Sequence, residues 1–242
     1  MGIRTDNDYS APQSQMALLP NYYRWIYSHF QPFVGKRISD LGCGAGHMLR
    51  YIAQNDAKEF LLGIDSSNAN ITNATSLNQD TPILFMVRDL EHYDYSDVLN
   101  LNVDTIFSLD VLEHIQDDVA VIKDFYRVLP RRGRVCIKVP AMPRLYGPMD
   151  EASGHYRRYS KTMVKNLARS AGFSVLFIAY MNRIALPVYY LKNKLLMSND
   201  NFSKTFSEPS LRRLNSMMLI LQRLDKLSLL PAGLSFCAVL EK

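Results

Sequence analysis

Between residues 36 and 180 the chain alternates short apolar runs with segments of helical periodicity, and this beat narrows the possible folds more than any other feature. Lys36-Arg37-Ile38-Ser39-Asp40-Leu41 reads as a first strand, with a helix from Gly44 to Gln54 after its loop. Phe60 to Asp65 is a second strand, Ile83 to Val87 a third and Val103 to Ser108 a fourth. Asp117 to Leu129 has helical periodicity and stops at Pro130, with Gly133 close behind. Val135 to Val139 is a fifth strand, ended by Pro140. Ser160 is placed to cap a helix that runs to Ala171 and ends at Gly172. Phe173 to Tyr180 then reads as a sixth strand and Leu234 to Leu240 as a last one. Strands joined through helices imply a mostly parallel, seven-stranded α/β sheet with helices on both faces.

A chain of 242 residues accommodates one large α/β domain, or a core domain carrying an insertion. Residues 1–35 read as an N-terminal arm followed by a helix. Pro20 is suited to the first turn of that helix, and Tyr22, Tyr23, Trp25, Ile26, Tyr27, Phe30 and Phe33 follow, mostly at helical spacing. Such a stripe packs on a core or forms an aromatic wall. The core spans 36–182, and 230–242 holds the final strand. Residues 183–229 break the beat and read as a helical cap, split by a polar segment over 198–209. The cap's stripes of Leu, Met and Tyr are compatible with packing on the domain itself, with a homodimer, with a lid, or with peripheral membrane contact beside basic flanks.

The formal charge of +5 is mild and spread along the chain, which disfavours a dedicated nucleic-acid binder. Cys43, Cys136 and Cys237 lie far apart, with neither a metal-ligand spacing nor a disulfide framework. No metal is expected from that pattern. Buried thiols, no apolar leader segment and no run of 18 apolar residues point to a cytoplasmic protein.

Ligands of open α/β sheets bind outside the carboxyl ends of the strands. The first strand ends in Asp40, and Gly42, Gly44 and Gly46 follow. Glycines there allow a tight turn and close approach of backbone to a ligand, with a helix N-terminus behind them. A dinucleotide fingerprint needs G-x-G-x-x-G, but its third glycine falls on His47 counted from Gly42 and on Leu49 counted from Gly44. An acid before the loop also disfavours a pyrophosphate and suits a cation. Asp65 ends the second strand, where a carboxylate can accept ribose hydroxyls, and Ser66 follows it. Asp89 and Leu90 follow the third, offering an acceptor for an exocyclic amine and an apolar cover for a base.

With these residues in place the chain resembles the class I S-adenosylmethionine-dependent methyltransferases, which have a Rossmann-like fold. Asp40 to Gly46 is similar to the family's D/E-x-G-x-G-x-G loop, Asp65 to its ribose-binding acid and Asp89 to its adenine-contacting acid. Phe107 to Ile115, with Leu109 and His114, resembles the fourth-strand segment beside the methionine part of the cofactor. Val128-Leu129-Pro130-Arg131-Arg132-Gly133-Arg134 resembles the family's turn before strand five, with Arg132 where a glycine is usual. The stretch Leu145-Tyr146-Gly147-Pro148-Met149-Asp150-Glu151, continued by Gly154-His155-Tyr156-Arg157-Arg158-Tyr159-Ser160, looks like one small-molecule subgroup. The resemblance implies S-adenosyl-L-methionine as cofactor and a small-molecule acceptor bearing a hydroxyl, amine or carbon nucleophile. It leaves open a non-catalytic cofactor-binding partner of a biosynthetic complex. The expected general base is His155, with Tyr146 as second choice; the competing reading of His155 and the two arginines is a lock that holds their loop on the domain.

Overall fold

A computed structural model describes residues 15–191, 207–228 and 230–242. The expectations for the arm before residue 15 and for the polar segment of the cap fall largely outside them. Seven strands form one sheet in the order β3-β2-β1-β4-β5-β7-β6. They are β1 Arg37–Leu41, β2 Phe60–Asp65, β3 Ile83–Val87, β4 Thr105–Leu109, β5 Arg134–Pro140, β6 Ser174–Met181 and β7 Ser235–Glu241. The first five pair in parallel, and β7 runs antiparallel between β5 and β6.

Strict alternation along the central strands gives the sheet two apolar faces. Leu41, Ile106, Val135, Ile137, Val139, Ala238 and Leu240 belong to one buried cluster. Ile38, Phe107, Cys136, Cys237 and Val239 belong to the other. Helices α1 Pro20–Phe30 and α2 His47–Asn55 cover the second face through Trp25, Ile26, Phe30, Met48, Leu49 and Ile52. Helix α3, Asn68–Leu77, joins β2 to β3, and the short α4, Ser96–Asn100, precedes β4. Helix α5, Asp118–Val128, packs under the first face through Val121, Ile122 and Phe125. After the short α6, Pro148–Ser153, comes α7, Lys161–Ala171, which adds Val164, Leu167 and Ala168 to that face.

Several boundaries move by a few residues. The second helix starts at His47, not Gly44, because Gly42, Gly44 and Gly46 all take positive φ and cannot open a right-handed helix. Strand β4 starts at Thr105; Val103 still bonds back to Val98 of α4, and Asp104 leads into the sheet through its amide on the Arg37 carbonyl. Ser160 does cap α7, its hydroxyl accepting from the Met163 amide at 3.1 Å, and Gly172 ends that helix in the left-handed region.

Two helices of the 183–229 stretch are described, α8 Leu186–Tyr190 and α9 Glu208–Leu227. Helix α9 lies along α1. The Asn21 amide and its side chain both bond Asn215 at 2.9 Å, and Gln222 donates to Ser28 at 3.0 Å. Its buried Asp225 carboxylate accepts from the backbone amides of Asn182 and Arg183 and faces the Arg183 guanidinium. Met217, Ile220, Leu224 and Leu227 stay exposed on the other side. No helix among the described residues is long and apolar enough to cross a membrane.

Asp225→Ala leaves the part-buried amides of Asn182, Arg183 and Ile184 and the Arg183 guanidinium without their acceptor. Bonds to charged groups are worth about 1.5–3 kcal/mol each, so we expect a stability loss on the order of 3 kcal/mol in urea denaturation. A change below about 0.5 kcal/mol, the usual scale for surface positions, would show that α9 is not fastened to the core there.

Candidate functional site

Strand order reverses at β1, which has β2 on one side and β4 on the other. Connections leave in opposite directions from that point, and a crevice opens beyond the strand ends. A pocket of about 500 Å³ occupies it, a size suited to a small ligand.

The loop after β1 forms its floor. The Gly42 and Cys43 amides both donate to the Ile64 carbonyl, at 2.7 and 2.9 Å, so the chain doubles back over β2. Gly42 has φ +83°, and a Cβ there would stand 2.4 Å from the Val111 side chain. Any larger residue would therefore push the loop away from the segment after β4.

Two acids flank the loop. Asp65 is held by three donors around it. Its Oδ2 accepts the Gly44 amide at 2.8 Å, and its Oδ1 accepts the Ser67 amide at 2.9 Å and the Asn70 side chain at 3.1 Å. Asp40 differs. It is 2% exposed, and its Oδ1 has no hydrogen-bond partner. Burial, reinforced by the nearby Asp65, pushes its carboxyl up to about 7. A buried acceptor facing a pocket in this state is an address for a cation or a strong donor.

Asp40, Gly42, Gly44, Asp65, Ser66, Asp89, Leu90, Leu109 and His114, all expected from sequence, line this one pocket. Gly46 is the exception. It lies behind the loop, where a Cβ would meet the Phe85 ring at 2.7 Å, so it serves the packing of the loop on β3. Asp89 is exposed and accepts from the Glu91 amide at 3.1 Å, while Leu90 is buried against the core.

The opposite wall comes from α1 and the residues before it. Met16, Tyr22, Tyr23 and Ile26 face the pocket, whereas Trp25, Tyr27 and Phe30 enter the core. The aromatic stripe thus divides between the core and the pocket lining. Sequence reasoning missed the Asp110–Lys138 ion pair at the pocket's edge, with Nζ–Oδ1 at 2.6 Å. Burial alone would lower the Lys138 ammonium, but the Asp110 charge outweighs it and holds the group above its ordinary value. The available signal was a lysine inside the apolar run Val135 to Val139, which a buried strand tolerates only with a partner.

His155 and Tyr146 do not line the pocket. The loop that carries them is clamped to the turn after β4. Tyr156 donates its amide to the Glu113 carbonyl at 2.7 Å, and Arg157 donates to the carbonyls of Ile115 and Gln116. Arg157 and the Tyr159 hydroxyl also meet Asp118, at 3.1 and 2.7 Å. These bonds place His155 edge to face with His114, their centroids 4.7 Å apart. Its Nδ1 lies 2.8 Å from the buried Asp150, which Arg158 also holds at 2.7 Å. Burial favours a raised Asp150 carboxyl, but the bonds from His155 and Arg158 prevail and hold it below the usual range. Tyr146 spends its hydroxyl on the His155 carbonyl at 2.8 Å. The locking of the loop is thus observed, and it sets His155 one residue back from the pocket.

Residues 39–137 match a family described as a methyltransferase domain. That stretch, less than half of the chain, is similar to methyltransferase domains. Over 117 residues it is 31% identical to a tRNA U34 carboxymethyltransferase of Sulfurimonas denitrificans, covering 48% of this chain and 38% of that one. Over 113 residues it is 26% identical to a ubiquinone biosynthesis O-methyltransferase of Pseudomonas aeruginosa, covering 46% and 48%. The chain therefore spans less than half the length of these curated relatives. An S-adenosylmethionine-dependent methyltransferase from Mesorhizobium loti superposes with a TM-score of 0.60 at 14% identity, covering 92% of this chain and 98% of that one. The chain thus has the fold expected from its strand order, a mostly parallel Rossmann-like sheet.

The Asp40 carboxyl makes the stability of the fold depend on pH. Its folded-state value of about 7 lies above the ordinary 3.8. The folded protein then holds the proton more tightly, and this group's stabilising share is lost as pH rises from about 4 through 7. Asp40→Asn should raise the stability of the ligand-free protein at pH 8 by on the order of 2–4 kcal/mol, with the gain shrinking toward pH 5. Urea denaturation at several pH values measures it; a gain independent of pH would contradict the burial account.

Proposed function

We propose that the pocket binds S-adenosyl-L-methionine and that the protein transfers its methyl group to a small-molecule acceptor. The observation that carries this reading is the unpartnered, buried Asp40 oxygen beneath the glycine loop. A methionyl ammonium supplies the cation that this oxygen lacks. The ribose falls to Asp65, whose bonds to Gly44, Ser67 and Asn70 hold its carboxylate in a fixed orientation. Ser66, Asp89 and Leu90 are assigned to the base and Leu109 and His114 to the methionine end, a reading supported by their all lining the pocket. When bound, the cofactor supplies an activated methyl, so the protein's share is position and exclusion of water.

Tyr22, Tyr23, Ile26, Val111 and Ile115 give the pocket apolar and aromatic lining beside the acids. That composition supports a small acceptor with apolar surface carrying a hydroxyl, amine or carbon nucleophile. A nucleic-acid acceptor is less well supported, because the net charge is only +5. The aromatic lining also gives the pocket more than a cofactor alone requires, which favours an enzyme over an inert cofactor-binding partner.

Asp65→Asn keeps the side chain's size while removing its charge. S-adenosylhomocysteine binding, followed by calorimetry, should weaken at least about tenfold, the ~1.4 kcal/mol expected when a charged acceptor becomes neutral. The same change should cost some stability, because Asp65 also fastens the loop. Unchanged affinity would remove Asp65 from the ribose site, and no binding to the parent protein would overturn the cofactor itself.

A further inference from the structure

The turn after β4 and the loop after β5 bring together three side chains that the cofactor reading leaves without a shared role. Glu113 and His114 stand on the turn and His155 on the loop. One ligating atom from each lies within 4.8 Å of the other two, and among the described residues no other cluster of His, Cys, Asp or Glu is gathered this closely. Glu113 is 1% exposed, and its Oε2 has no hydrogen-bond partner. A carboxylate oxygen buried without a donor is costly, and its persistence asks for a positive group that completes it. With Nδ1 committed to Asp150, His155 has Nε2 as its lone-pair nitrogen. Proteins fix the tautomer and direction of metal-bound imidazoles by just such a carboxylate behind the ring. Asp150 is anchored in turn by Arg158, so the second layer is itself held in place.

We propose that Glu113, His114 and His155 form a site for a divalent transition-metal ion of the Zn²⁺ kind. Two imidazoles and one carboxylate suit Zn²⁺, Co²⁺ or Fe²⁺, whereas Mg²⁺ and Ca²⁺ prefer oxygen donors throughout. The ligands come from different strand connections, so sequence spacing alone does not reveal them. Three protein ligands leave at least one position for an outside donor. His114 also lines the pocket, which puts the ion at the pocket's edge.

The consequence for chemistry rests on the methyl-transfer reading; the ion site itself does not. An acceptor hydroxyl on the ion loses its proton to water near neutral pH. Its oxygen then bonds the sulfonium methyl, the carbon–sulfur bond breaks, and the sulfur keeps that electron pair as a neutral thioether. His155 is then a ligand, replacing the base role expected from sequence.

The test uses the full chain after chelator treatment, titrated with Zn²⁺ by calorimetry and compared with Glu113→Gln and His155→Ala. We expect one Zn²⁺ per chain, affinity at least about tenfold weaker in either variant, and no binding of Mg²⁺ at the same concentrations. The melting temperature should rise with Zn²⁺, because the ion joins two segments only in the folded state. Absence of stoichiometric Zn²⁺ binding to the parent protein overturns the proposal without reference to any variant. So does equal affinity in parent and both variants, which would place the ion elsewhere. S-adenosylhomocysteine is titrated separately into the chelated protein. Failure of that binding counts against the cofactor reading and leaves the ion site standing, and the reverse also holds.

Discussion

Everything around the pocket depends on two carboxylates that a parallel sheet forces together. β1 and β2 are hydrogen-bonded neighbours; Asp40 is the next-to-last residue of β1 and Asp65 the last of β2. The fold compensates them unequally. Asp65 collects three donors from the loop and from the start of α3, and those bonds hold Gly44 over the strand ends. Asp40 is left with a bare oxygen in a buried setting, which raises its carboxyl to about 7. On the proposed function, the ligand-free protein carries this electrostatic cost because the position is matched to a ligand rather than to the fold.

A second set of contacts governs the acceptor side. Arg157, Tyr159 and the Tyr156 amide fasten the loop after β5 to the segment 113–118. Arg158 and His155 converge on Asp150 from within that loop. Two connections that leave different strands thereby become one rigid wall, and the His114–His155 contact is its product. Of the two readings of His155 from sequence, the locked loop is observed, and it sets the ring beside His114 rather than in the pocket.

What was legible in the sequence was what short-range physics determines. β2 and β3 have the bounds that their apolar runs announce, and α7 has the cap and stop written by Ser160 and Gly172. The acids and glycines of the pocket were legible because each sits at a strand end, and the parallel topology gathers strand ends on one side. Gly46 misled because a glycine pattern does not say which glycine faces the ligand and which faces Phe85. His155, Glu113 and the Asp110–Lys138 pair depend on which loops meet in space, and the local pattern is silent on that. The laying of α9 along α1 is likewise a long-range outcome, made by Asn215, Gln222 and Asp225.

The central claim is that the bare Asp40 oxygen receives the cationic end of the cofactor. Its most direct test is the affinity of S-adenosylhomocysteine measured by calorimetry from pH 8.5 down to pH 5.5. A ligand that needs Asp40 ionised must expel a proton below about 7, so binding should weaken by up to ~10-fold per pH unit there and level off above it. Asp40→Asn should bind more weakly and lose that slope. A parent affinity that stays flat across the range, or a slope that survives in the variant, would contradict the account.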